Sequence, residues 1–149
     1  MYKHLIGKQS IKVRNVVERG AVKKFASAIG DTHPIYIDRE VGKQSRYNQN
    51  IAPPTFPRVF DYGKVEGMTL PSKGLIHGEQ SYIYTRPLLV EEEILCYLEV
   101  KDYYEKTGKN GSMGFLVLAA NGDDFNENNI FTSIQIVIIS ETVRKGLRV

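Results

Sequence analysis

The sequence of 149 residues holds one cysteine, Cys96, and no tryptophan. A lone thiol can neither close an intrachain disulfide nor build a thiolate metal cluster, so the fold must be held by its core and a reducing, cytoplasmic setting is expected. Long apolar runs are also missing. The longest, Phe115 to Ala120, falls far below the ~18–20 residues that cross a bilayer, and Met1-Tyr2-Lys3-His4-Leu5-Ile6-Gly7 has no apolar stretch long enough for a secretion signal. No membrane partner is expected. Neither sign of charge dominates: twenty basic against seventeen acidic side chains leave +3. Their scatter lacks the dense Lys/Arg face that nucleic acid requires. Neither a metal nor a cofactor is called for.

What is present suits an ordinary globular chain, with 42% apolar and 25% charged residues. Its length is that of one domain, so residues 1–149 are expected to fold around one core. Ser10 to Val17 alternates loosely and could be a first strand. Ala21, Val22, Phe25, Ala28 and Ile29 recur at helical spacing, and Gly30 is placed to stop that helix. Residues 31–38 are too short and polar for a core element. A short helix over Arg39 to Gln44 follows, with Asp38 as its N-cap.

Proline before proline forbids helix up to Pro53, whereas Pro54 fits a first helical position. A central helix running through Phe56, Val59, Phe60, Gly63 and Lys64 is therefore predicted, followed by a loop from Gly67 to Gly74. The second half changes character. Ile76 to Leu88, Glu93 to Lys106, Ser112 to Ala120 and Asn129 to Ser140 are rich in Val, Ile, Tyr, Phe and Thr and read as long strands. Turn residues lie at 106–111 and 121–124. The order implies an α+β fold, an antiparallel sheet wrapped around a long central helix.

Three segments then resemble a known family. Phe25-Ala26-Ser27-Ala28-Ile29-Gly30-Asp31-Thr32-His33-Pro34-Ile35-Tyr36-Ile37-Asp38 is similar to the hydratase motif of MaoC-like (R)-specific enoyl-thioester hydratases and 3-hydroxyacyl dehydratases. Ala52-Pro53-Pro54-Thr55-Phe56, and His77-Gly78-Glu79-Gln80-Ser81-Tyr82 with Arg86-Pro87-Leu88, resemble its N-terminal-type dehydratase domain. The resemblance implies a hot-dog fold that works as a homodimer, or as a heterodimer with a second hot-dog subunit, on acyl thioesters of coenzyme A or acyl carrier protein.

That chemistry needs one group to activate water, one to handle the proton beside the carbonyl, and donors for the enolate oxygen. In the family an Asp and a His five residues later hold the water. Asp31 matches the Asp, but the His position is Tyr36, and an ordinary phenol titrates near pH 10. Pro54 stands where catalytic relatives commonly carry a glycine whose N–H binds the thioester oxygen, so the next amides are those of Thr55 and Phe56. Both changes recur in partner-type subunits that take their catalytic pair from a second chain.

The resemblance thus implies an acyl-thioester-binding subunit of an (R)-specific hydratase or dehydratase. Asp31, Tyr36 and His33 are its candidate catalytic residues, and Pro54, Thr55, Phe56, Phe60 and His77 its substrate-binding ones, with Val59 and Tyr62 also shaping an acyl tunnel. Two alternatives stay open: a self-sufficient hydratase pairing Asp31 with His33 or His77, and a non-catalytic acyl-CoA-binding module. Plainer readings exist for each residue. Asp31 suits a turn, His33 a loop, and His77 a half-buried strand position. Arg86 and Glu91-Glu92-Glu93 suit solvent, as do Lys106, Lys109, Arg144, Lys145 and Arg148 as a basic rim. Cys96, in an apolar strand, reads as buried and inert.

Overall fold

The computed structural model describes residues 1–147, which leaves Arg148 of the expected basic rim outside the described residues. Strands β1 (Val13–Val16), β2 (Leu75–Tyr84), β3 (Glu93–Gly108), β4 (Gly111–Asp123) and β5 (Asn129–Ser140) form one antiparallel sheet in the order β1-β3-β4-β5-β2. Helices α1 (Arg19–Ala28), α2 (Pro34–Ile37) and α3 (Arg39–Gln44) lie between β1 and β2, and α4 (Glu141–Gly146) follows β5. The architecture is α+β, as the segment order predicts.

Local chemistry explains most of these boundaries. Gly30 adopts φ +72° just beyond α1 and ends it. The Asp38 carboxylate accepts the N–H groups of Glu40 (2.9 Å) and Val41 (3.3 Å), capping α3 as expected. β3 and β4 form one long hairpin closed at Gly108 and Gly111. The next turn lies later than 121–124: β4 continues to Asp123, and Asp124 organises the reversal by accepting from the N–H of Asn126 (2.8 Å) and Asn128 (2.9 Å). Helices α2 and α4 were not foreseen, because a four-residue and a six-residue turn carry too little periodicity to stand out.

The long helix predicted from Pro54 does not form. Phe56–Val59 makes a single 3-10 turn, after which Phe60 is extended. Gly63 and Gly67 then adopt φ +70° and +79°, and the Asp61 carboxylate accepts the N–H of Gly63 at 2.9 Å, so the chain is locked into turns that a helix excludes. The helix that packs on the sheet is α1, which buries Val22 and Ala26.

The sheet carries two hydrophobic clusters. At one end Val17, Val22, Phe56, Ile94, Cys96, Ile130 and Phe131 pack together, with Cys96 fully buried as anticipated. At the other, Tyr2 and Leu5 from the N-terminus and Val65 from the irregular segment cover Val100, Tyr103, Leu116, Val137 and Ile139. Arg144 is no rim residue: it is 5% exposed, ion-paired to Glu105 at 2.5 Å and bonded to the Ser112 hydroxyl at 2.8 Å, tying α4 to the β3–β4 hairpin.

Phe131 sits directly opposite Gly122 in the β4–β5 ladder, and its ring lies over that glycine. A Cβ at position 122 would approach the ring to 2.1 Å. Gly122→Ala is accordingly expected to cost about 1–3 kcal/mol through overpacking, read as a lowered denaturant midpoint at unchanged slope.

Candidate functional site

The segment carrying Asp31, His33 and Tyr36 is held from below by one residue that sequence reasoning missed. Asn50 is fully buried. Its amide N–H groups donate to the carbonyls of Ile35 (2.8 Å) and Asp38 (2.7 Å), its side-chain oxygen accepts from Arg19 (2.7 Å), and its own carbonyl accepts the N–H of Val90 (2.9 Å). α3 packs onto it so closely that a Cβ at Gly42 would come within 2.6 Å of the Asn50 backbone nitrogen. In sequence, Tyr47-Asn48-Gln49-Asn50 reads as a plain polar loop. Nothing in it signals a buried clamp.

Within the clamped segment, Asp31 is exposed and its carboxylate accepts the backbone N–H of His33 at 3.4 Å. His33 caps α2, its Nδ1 accepting the N–H of Ile35 at 3.1 Å. That bond occupies the lone pair of Nδ1 and, in the neutral ring, leaves the proton on Nε2, a donor rather than a base. Tyr36 is half-buried with its ring edge toward His33, centroids 6.1 Å apart. Burial, then the nearby Asp31 charge, raise the Tyr36 phenol above its ordinary value of 10.0. No hydrogen bond joins the Tyr36 hydroxyl to Asp31 among the described residues.

Tyr36 opens onto a cavity of about 350 Å³ whose wall includes Arg46, Tyr47, Pro54, Tyr84 and Arg86. Pro54 contributes a carbonyl there, which accepts the Tyr84 hydroxyl at 2.6 Å. The amide of Phe56 is spent on the Pro53 carbonyl (2.9 Å), so of the two amides expected to serve a thioester oxygen only that of Thr55 is uncommitted among the described hydrogen bonds. Phe56 is not on the cavity wall. It is buried in the core, edge-on to Phe25 and Phe60. Phe60 is half-buried and stacks on Phe131 with centroids 6.1 Å apart.

His77 is not brought to this place. It is exposed on β2, opposite Val137, seven residues from Tyr84, or roughly 20 Å along the strand. Glu91 and Glu93 of the acidic turn are exposed as expected, but Glu92 between them grips the partly exposed Arg86 through two bonds of 2.9 Å each and accepts the N–H of Leu89 at 2.8 Å. The cavity therefore carries a neutralised Arg86, and Arg46 held against Tyr47. Cys96 has no part in it, its thiol pushed up to about 12 by burial.

The family model described as "FAS1-like, dehydratase domain region" matches residues 4–133. A UPF0336 protein of Thermobifida fusca is 28% identical over 136 residues, 87% of this chain and 87% of its own length. A UPF0336 protein of Clavibacter michiganensis is 35% identical over 91 residues, 57% of this chain and 61% of its own length, so that match takes in less than two thirds of the relative. Among solved structures, the HadBC (3R-hydroxyacyl-ACP dehydratase) complex of Mycobacterium tuberculosis superimposes with a TM-score of 0.73 at 14% identity, over 93% of this chain and 99% of that one. The (R)-hydratase of A. caviae gives 0.66 at 18% identity, over 91% and 96%. These likenesses show the hot-dog fold.

Asn50→Ala removes the side-chain bonds to the Ile35 and Asp38 carbonyls, which keep the N–H groups of Ile51 (3.4 Å) and Gly42 (3.0 Å), and takes the acceptor from the part-buried Arg19 contact, so a loss of about 1–3 kcal/mol is expected, measured by chemical denaturation. The phenols define a second test. Burial raises Tyr84 and Tyr62 well above 10.0, in the same direction as Tyr36. The folded chain therefore binds these protons more tightly than the unfolded one, and stability should fall as pH rises above about 10. Tyr84→Phe should flatten that alkaline decline in a stability-versus-pH series.

Proposed function

This chain belongs to the FAS1-like dehydratase domain region family, and from that premise we propose that it is the acyl-thioester-binding subunit of an (R)-specific enoyl-thioester hydratase or 3-hydroxyacyl dehydratase. A second hot-dog chain supplies the Asp and His that move protons. The observation that carries the reading is Tyr36: the residue five positions after Asp31, on the wall of the cavity, is a phenol, already neutral at physiological pH and made harder still to ionise by burial and the Asp31 charge. A neutral phenol donates a hydrogen bond but takes no proton from water.

The cavity is suited to holding a thioester rather than to attacking one. Its wall mixes aromatic rings with one uncommitted amide nearby, that of Thr55, which can donate to a thioester oxygen. His33 is consumed as a helix cap and His77 lies at the far end of β2. Both placements weigh against a self-sufficient hydratase. The fold likeness to a dehydratase that is itself a two-protein complex supports a paired arrangement. The sheet also leaves β2 as an edge strand with Ile76 and Ile83 exposed, a strand that pairing with a second hot-dog chain would protect. Cellular acyl-CoA or acyl carrier protein thioesters are the proposed ligands.

The purified chain alone is expected to bind crotonyl-CoA yet hydrate it no faster than background, as followed by loss of enoyl-thioester absorbance. Addition of a hot-dog subunit bearing the Asp and His should bring turnover. Ordinary enzyme rates from the isolated chain, abolished by Asp31→Asn, would overturn the proposal.

A further inference from the structure

The outer face of the sheet is apolar where it would ordinarily be wet. Side chains alternate across a strand, and the β4–β5 register puts Phe115, Val117 and Ala119 beside Ile138, Ile136 and Ile134 on one face. The opposite, inner face takes the helices and the N-terminal turn: Val22 shares a cluster with Phe131, and Leu5 and Val143 share one with Leu116 and Val137. On the outer face Ile76 and Ile83 of β2 are 51% and 62% exposed, and Phe115, Val117, Ile134, Ile136 and Ile138 are each part-exposed.

An antiparallel sheet with one solvated face alternates apolar inward with polar outward. Over part of its length β5 does the reverse, with Ser133 and Gln135 inward and Ile134 and Ile136 outward. No charged side chain stands on the outer side of β4 or β5. Charges begin on the flanking strands, with Glu99, Asp102 and Lys106 on β3 and Glu79 on β2. An apolar centre within a charged rim is the anatomy of a protein interface. From β3 to β2 and from Met113 to Asn121 the face measures roughly 19 Å by 27 Å, about 500 Å² before side-chain relief is added. A standard interface takes ~800 Å² of accessible surface from each partner.

The rim charges decide how a second copy fits. Level with Met113, Phe115, Val117 and Ala119 in turn, β3 presents Lys106, Tyr104, Asp102 and Glu99. A two-fold axis lying between two such faces, and crossing the strands midway between Phe115 and Val117, sets Lys106 opposite the partner subunit's Glu99 and Tyr104 opposite the partner subunit's Asp102. Phe115 then meets the partner's Val117, large against smaller. An axis along the strands would instead bring Glu79 against the partner's Asp102, because these two stand in the same row, and like charges would meet. Lys106 lies over the rings of Tyr104 (5.3 Å) and Phe115 (5.6 Å) and has no carboxylate partner among the described residues, so its charge is available. Sheets pack about 10 Å apart, within the reach of a lysine and a glutamate side chain.

We propose that the outer face of the sheet is a docking surface for a second copy of this chain, packed sheet on sheet about the axis that crosses the strands. The occupant follows from the face itself, which is free of charge at its centre and complementary to its own rotated image along the β3 rim. Closed two-fold pairs are the commonest outcome for such a surface. Burial of the apolar centre drives association, and the rim charges set its orientation. The backbone edge of β2 stays free in this pair, and Ile136 points away from the inner face. The inference therefore does not rest on the thioester-binding role.

Sedimentation velocity of the full chain over a concentration series tests this. The unaltered chain should sediment as a reversible dimer. Ile136→Asp, which puts a charge at the centre of the face, should raise the dissociation constant about a hundredfold, with circular dichroism verifying that the variant is folded. Lys106→Glu, at an exposed position, should weaken the dimer about tenfold, and adding Glu99→Lys should restore it. Should Ile136→Asp fail to fold, the Lys106 and Glu99 variants decide. A monomer throughout the series, a dimer that persists in folded Ile136→Asp, or a double variant no tighter than Lys106→Glu alone would overturn the proposal. Titration with crotonyl-CoA is read separately, since absence of binding strikes the thioester-binding role and leaves this inference standing.

Discussion

One buried amide side chain organises the candidate site of this protein. Asn50 joins α2, α3, the first turn of α1 and the strand-entry loop at Val90, using both its donors and its acceptor. The helical pieces it joins are too short to hold themselves, since an isolated helix of four or six residues cannot recover its nucleation cost in water. Their positions, and hence those of Asp31, His33 and Tyr36, follow from hydrogen bonds to a residue that itself lies on no regular element. A polar clamp of this kind is directional where a greasy contact is not, which is why it can place a ring on a cavity wall rather than merely bury it.

The electrostatics of the cavity point the same way as its geometry. Arg86 is neutralised by a bidentate carboxylate, Tyr36 and Tyr84 are held in their neutral forms, and Pro54 offers only a carbonyl. The Asp31 charge, instead of being paired with an imidazole that could cycle a proton, makes the neighbouring phenol still harder to ionise. In the proposed assembly binding and proton transfer are separated: this chain would keep the container, and the reactive pair would belong to another polypeptide.

Replacing a long central helix by turns also has a spatial consequence. A helix laid along the inner face of the sheet would fill it with side chains at a spacing of 8–10 Å between axes. The 3-10 turn at Phe56–Val59 and the left-handed glycines after it instead leave the segment irregular, anchored where Tyr62 donates to the Pro57 carbonyl and where Ser10 donates to the Tyr62 carbonyl. The space kept open beneath it has a polar floor at Gln80 and Ser133.

Composition, turn residues and period-two alternation were enough to define the α+β class, the four long strands and the capped helix α3, because each depends on neighbours within a few residues. The motif around Asp31 and its substituted partner Tyr36 was visible only through the resemblance to the MaoC-like family. The failed helix after Pro54 marks the boundary: its apolar spacing was compatible with a helix, and local turn chemistry at Asp61, Gly63 and Gly67 together with distant anchors at Ser10 and Asn15 chose turns instead. The burial of Arg144, the pairing of Arg86 with Glu92, the exposure of His77 and the role of Asn50 were likewise decided in three dimensions. Whether a polar side chain is solvated, clamped or orphaned depends on which distant groups the sheet brings within 3 Å, and no linear pattern carries that information.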